Sequence, residues 1–171
     1  MFKWLWILPI IFCIGCAKEH GKPVSKLDYI GIEREKNTNL YILRFFSELD
    51  LLTIFSRDES PVGGILRCAL AGGNDFSVEH VQRYTARGLI QGVALRKEGN
   101  GFEFVTSLAF VESLNEGRSE RVLAPEELKR LLKDKPSVPC VYVFTAYGFK
   151  PYYSGVLRVP AADILREAGR E

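Results

Sequence analysis

The alternation of apolar and polar positions predicts a strand-rich domain over residues 27–171. Residues 27–32 combine β-branched and aromatic side chains without helical spacing, which indicates a first strand. Two β-rich runs, 89–96 and 102–111, flank the sequence Glu-Gly-Asn-Gly at 98–101. Because Asn-Gly supplies the positive φ angles of a tight turn, we expect these two runs to form a hairpin.

Further short apolar runs extend this pattern. Residues 139–146 and 156–159 predict two later strands, and the run 65–70 around Cys68 predicts another. Residues 40–46 and 51–55 fit either a hairpin or one helix, because short apolar runs do not distinguish the two.

Three short helices are predicted from apolar spacing and suitable end residues. They cover residues 78–87, with Ser77 as N-cap and Gly88 as the stop, together with residues 125–133 and 160–168. Strands dominate and do not alternate regularly with helices. We therefore expect a single α+β domain, with a mainly antiparallel β-sheet and two or three short helices.

The first fifteen residues differ from the rest. Lys3 precedes an apolar run over residues 4–12. This run of about nine residues is far shorter than the roughly 20 that cross a bilayer, and it suits the apolar core of a secretory signal peptide. A buried N-terminal strand or helix is the alternative. Residues 16–26 turn polar, which is typical of a tether between an anchor and the domain.

The end of this segment, Cys13-Ile14-Gly15-Cys16, resembles the lipobox of bacterial lipoproteins. Gly15 and Cys16 match that pattern, while Cys13 stands where the family usually has Leu. The resemblance implies cleavage before Cys16 and a lipid on its sulfur, which would attach the protein to a membrane. Ala17 replaces the Asp that favours inner-membrane retention in that family, so the resemblance implies the periplasmic face of the outer membrane.

Four cysteines are then divided between separate fates. Cys13 leaves with the signal peptide and Cys16 carries the lipid, so Cys68 and Cys140 remain. An oxidising periplasm favours a disulfide between them, and two buried free thiols are the alternative.

Charge and histidine content exclude several classes of partner and catalytic site. The chain has 23 Lys and Arg against 21 Asp and Glu, without a basic run, so we expect no nucleic-acid partner. His20 and His80 are the only histidines, too few for a catalytic zinc site. There is no Gly-x-Ser-x-Gly elbow, and a Cys68–His80 peptidase pair would be lost on disulfide formation. We expect a protein that is not an enzyme, without a metal or cofactor.

One segment favours binding. Between residues 147 and 153, four aromatic rings surround a lysine on a stretch that glycine and proline place in a loop. Tyrosine-rich surface is typical of protein interfaces, and the alternative is that the rings fold back on the sheet edge. The candidate partner-binding residues are Tyr147, Phe149, Lys150, Tyr152 and Tyr153.

The function expected from these features is that of a membrane-anchored, non-catalytic module that binds another periplasmic or envelope protein. An immunity or inhibitor protein that neutralises a periplasm-acting toxin, such as a type VI secretion effector, fits this type. An envelope-assembly or secretion-system accessory lipoprotein is the first alternative, and an unrecognised cell-wall or lipid enzyme is the second.

Overall fold

The computed structural model describes residues 17–73, 75–91 and 101–170. Strands make up 47% of the structure and helices 17%, so the domain is mainly β rather than α+β. The elements in chain order are β1 (Leu27–Arg34), β2 (Leu40–Ser47), β3 (Pro61–Ala69), β4 (Tyr84–Gln91), β5 (Phe102–Leu114), β6 (Ser119–Val122), α1 (Pro125–Leu132), β7 (Ser137–Ala146), β8 (Tyr152–Tyr153), β9 (Leu157–Pro160) and α2 (Ala161–Ala168).

The nine strands of the described ranges belong to one antiparallel sheet with the order β1-β2-β5-β4-β3-β7-β8. β6 pairs with β5, and β9 pairs with the first half of β7. The sheet curls so that β1 contacts β9, and α2 packs against β1, β7 and β9. The antiparallel arrangement expected from the sequence is therefore confirmed.

One face of the sheet, here called the inner face, carries the main core. Along β7 every second side chain from Val138 to Ala146 is buried in this core. α1 adds Leu128 and α2 adds Ile164 to the same cluster. The strict alternation of strand side chains explains why one face collects the large apolar residues.

Several predicted elements agree with the structure. The expected strand at 27–32 lies in β1, and both α1 and α2 form at the expected places. Residues 40–46 belong to β2 rather than a helix, and 51–53 form a short 3₁₀ turn. Of the two predicted hairpin runs, residues 89–91 lie in β4 and residues 102–111 lie in β5, and these strands are adjacent and antiparallel. Residues 92–96 of the first run and most of the predicted Asn-Gly turn lie outside the described residues.

The helix predicted over residues 78–87 is wrong, because β4 begins at Tyr84 and pairs with a strand on each side. These strand contacts outweigh the helical spacing of the local sequence. Gly88 does not end a helix. A Cβ on Gly88 would meet the backbone oxygen of Ser107 at 2.1 Å, so the glycine allows β4 and β5 to approach closely.

Candidate functional site

Residues 18–26, here called the N-terminal strap, are bonded along the body of the domain. The backbone N–H of Lys18 donates to Gly148 O at 2.8 Å, and the N–H of Lys150 donates to Lys18 O at 2.8 Å. At the other end of the strap, the N–H of Gly155 donates to Ser25 O at 2.8 Å. The segment expected to be a tether is therefore packed on the domain from Lys18 onward.

Side chains of the strap reinforce this attachment. The His20 ring meets the Tyr152 ring edge-on, with centroids 5.6 Å apart. The His20 Nδ1 atom accepts a hydrogen bond from the backbone N–H of Lys22 at 3.0 Å. The Lys22 ammonium lies 2.9 Å from the Glu59 carboxylate. His20 consequently has a structural part in holding the strap against the domain.

The aromatic segment does not form one exposed surface. Tyr147 is 83% exposed, whereas Tyr152 is fully buried in the inner core. The Tyr152 hydroxyl accepts a hydrogen bond from the Ser25 N–H at 3.0 Å, and burial raises the pKa of this hydroxyl. A buried ring cannot contact a partner, so Tyr152 is a core residue rather than a binding residue.

The other three candidate residues of this segment have different surroundings. Phe149 is half-buried, with its ring 5.7 Å from that of Phe55. Tyr153 is half-buried on the opposite face of the sheet, where its hydroxyl accepts a hydrogen bond from the Val78 N–H at 3.3 Å. Lys150 is exposed and pairs with Glu19 of the strap. The rings are therefore distributed over several environments, and much of the segment serves to bind the strap.

The disulfide joins the centre of the sheet. Cys68 in β3 lies directly opposite Cys140 in β7, with Cα atoms 3.9 Å apart and the two sulfurs bonded. Both residues are buried in the inner core. The predicted disulfide is confirmed, so Cys68 has no thiol to act as a nucleophile with His80.

A groove on the outer face of the sheet is a concave surface that sequence reasoning missed. It has a volume of about 320 Å³ and lies over β3, β4 and β7, with the loop before β4 as one wall. Its lining includes Ile65, Arg67, Val78, Val81, Arg87 and Val143. We call it the outer groove.

Several apolar side chains in and beside this groove are exposed to solvent. Val78 and Val81 on its wall are each about half exposed. Leu89, the cross-strand neighbour of the groove residue Ile65, is 65% exposed. The outer groove and its rim thus offer apolar surface that no other part of the described chain covers.

Arg67 places a positive charge in the groove, and its hydrogen-bond acceptors are neutral backbone oxygens. Its guanidinium donates to the backbone oxygens of Phe76 at 3.3 Å, Ser77 at 3.2 Å and His80 at 3.1 Å. These bonds fasten the loop to β3, and among the described residues no carboxylate hydrogen-bonds to Arg67, although Asp75 is near enough to interact with it electrostatically. The neighbouring Arg87, in contrast, pairs with Glu120.

A second charged cluster is structural. The Glu112 carboxylate is almost fully buried and lies 2.9 Å from the Arg83 guanidinium, with Arg121 also bonded to it. Arg83 and then Arg121 hold the pKa of Glu112 below its usual range. Arg121 also pairs with Glu127 at the start of α1. The cluster therefore connects the residue before β4 with β5, β6 and α1.

Within the described residues, no group of acidic, histidine or cysteine side chains is arranged to hold a metal ion. No helix in the same ranges is long and apolar enough to span a bilayer. The chain matches no protein-family model, and no curated protein or solved structure is detectably similar to it.

Proposed function

We propose that this chain is a lipid-anchored, extracytoplasmic domain that binds another protein in the outer groove. The observation that carries the proposal is the set of exposed apolar side chains around Arg67, namely Val78, Val81 and Leu89. The anchor part rests on the lipobox-like sequence that ends at Cys16.

The chemistry of the groove indicates the kind of partner. Arginine is enriched among energetically important interface residues, and the buried centre of an interface is more apolar than the surrounding surface. Arg67 is already held in place by three backbone oxygens, so little side-chain freedom is lost on binding. The matching partner surface presents a carboxylate flanked by apolar side chains.

Neutralisation of a toxic enzyme is the role we propose for this binding. A domain fixed to the membrane surface meets a toxin that arrives in the same compartment, and binding alone is sufficient for inhibition. This role makes a direct prediction. The captured partner should be toxic when exported alone and harmless when this chain is co-produced, whereas a harmless partner would exclude the inhibitor role.

The binding surface is tested with full-length, C-terminally tagged protein recovered from membranes. Val81→Asp places a charge on the groove wall and should weaken binding of the wild-type partner by roughly 30-fold, equivalent to about 2 kcal/mol. Leu52→Asp is the matched control, because Leu52 is 44% exposed and lies outside the groove. Equal binding by both variants would exclude the outer groove as the interface.

A further inference from the structure

The end of the molecule where the strap begins carries exposed apolar side chains on a fixed backbone. Tyr147 is 83% exposed, yet its N–H donates to Ser60 O at 3.0 Å. Pro61 pairs with Ala146, and the next residue along β3, Val62, is 74% exposed. We call this region, with Tyr147, Val62 and Lys18, the strap end.

The strap leaves little chain between this end and the anchor. Lys18 is hydrogen-bonded to Gly148 and Lys150, so its position on the domain is fixed. Two peptide links separate Lys18 from Cys16. Each link advances the chain by at most about 3.8 Å, so the Cα atom of Cys16 is within about 8 Å of that of Lys18.

We infer that the strap end of the lipidated protein rests on the membrane, with the Tyr147 ring among the lipid headgroups. This inference rests on the lipid anchor of the proposed function. A lipid on Cys16 lies beside the loop that carries Tyr147. Because the strap is bonded to the domain from Lys18 onward, the chain has no slack that would let the domain move away from the bilayer. Tyrosine is enriched at this depth because its ring is apolar and its hydroxyl is hydrated.

The contact should depend little on lipid charge. Two of the strap-end cations are paired with carboxylates, Lys22 with Glu59 and Lys150 with Glu19. Anionic lipids attract proteins through clustered basic residues, and these two pairs balance much of the positive charge around Lys18. The partner of this surface is therefore the headgroup layer of a bilayer of either charge.

The inference is tested with a fluorophore at position 147, introduced by Tyr147→Cys. Because Cys16 is acylated and Cys68 is bonded to Cys140, the new thiol is the one available for labelling. The matched control is Asp134→Cys. Asp134 is exposed and lies just before the start of the ten-residue strand β7, whereas Tyr147 follows the end of that strand. That strand spans about 33 Å.

Purified acylated protein is reconstituted in neutral phosphatidylcholine vesicles that contain a lipid-borne nitroxide quencher. We expect strong quenching at position 147, weak quenching at 134, and the same pattern after addition of anionic lipid. Equal quenching at the two positions would overturn the inference.

Insertion of twelve Gly and Ser residues between Ala17 and Lys18 provides a second control. A flexible segment of this length adds an average reach of about 20 Å, so the domain should leave the surface and quenching at 147 should fall. Unchanged quenching would show that the short chain between Cys16 and Lys18 does not hold the domain at the membrane. Mass spectrometry of Cys16 separates the two proposals, since an unacylated cysteine overturns the anchor as well, whereas an acylated but unquenched protein overturns this inference alone.

Discussion

The inner and outer faces of the sheet differ in how far their side chains are buried. The inner face is closed by α1, α2 and the disulfide, and its large side chains are almost completely buried. The outer face has only a small buried cluster, and Arg67, Val78 and Val81 remain accessible in the groove. Aromatic content alone therefore does not locate a binding surface, because the aromatic segment 147–153 mainly packs on the inner face and binds the strap.

The largest effect should come from truncating the aromatic core. Tyr152→Ala removes a fully buried ring together with the hydroxyl that accepts the Ser25 N–H, so we expect a loss of about 3–5 kcal/mol in the free energy of unfolding. Tyr147→Ala is the matched control in the same segment and should change this free energy by less than about 0.5 kcal/mol. Urea denaturation measures both.

Equal destabilisation by the two variants would contradict the division of the segment into a buried and an exposed part. It would mean that the Tyr147 ring contributes packing that its 83% exposure does not indicate.

Loss of the disulfide should have the next largest effect. Cys68→Ala combined with Cys140→Ala opens a link across 72 residues, and we expect the free energy of unfolding to fall by about 2–4 kcal/mol. Reduction of the wild-type protein should lower its melting temperature in the same direction. A double variant as stable as the wild type would show that the inner face is held by packing alone.

The inner face was largely predictable from the sequence. Strand and helix patterns such as those of β1, β7, α1 and α2 depend on local alternation and end residues, and these signals agree with the contacts that each element makes. The disulfide followed from elimination among four cysteines. The α+β assignment overestimated helix content because the 78–87 segment has helical spacing but lies partly in β4.

The outer groove was not predictable from one sequence. Val78 and Val81 carry the same spacing whether they form a helix face or a loop wall, and nothing local shows which face of a strand another segment covers. Tyr152 is held partly by the strap, whose polar composition gives no sign that the Ser25 N–H bonds to the Tyr152 hydroxyl or that His20 contacts the ring. These features arise from contacts between residues that are distant in the chain.

The charged cluster of Glu112 gives a pH-dependent prediction. Because the folded protein holds the pKa of Glu112 below its usual value of 4.5, the carboxylate contributes stability above about pH 4.5. That contribution is lost as the pH falls through the lower folded-state value. Glu112→Gln should therefore be less stable than the wild type at pH 7, and the difference should narrow in acid.

The control for this experiment is Glu126→Gln, since Glu126 is mostly exposed and, within the part of the chain that the structure describes, pairs with Lys129 on α1. Its stability should stay near that of the wild type across the pH range. A constant difference between Glu112→Gln and the wild type from pH 7 to pH 3 would argue against the paired, ionised carboxylate.

The smallest effect on stability is expected at the rim of the outer groove. Leu89→Ser replaces a side chain that is 65% exposed, so we expect a change of less than about 0.5 kcal/mol in the free energy of unfolding. The same substitution should weaken partner binding. A large loss of stability would assign Leu89 to packing and would remove it from the proposed interface.

The most direct measurement is site-specific photocrosslinking in intact cells, with a benzophenone amino acid at Val81, at Tyr147 or at the control position Leu52. All three side chains are exposed, but only Val81 lies in the outer groove. We expect a discrete protein adduct from Val81, lipid adducts from Tyr147 and no discrete protein adduct from Leu52. A discrete protein adduct from Tyr147 with none from Val81 would exclude the outer groove and make the aromatic loop the binding surface.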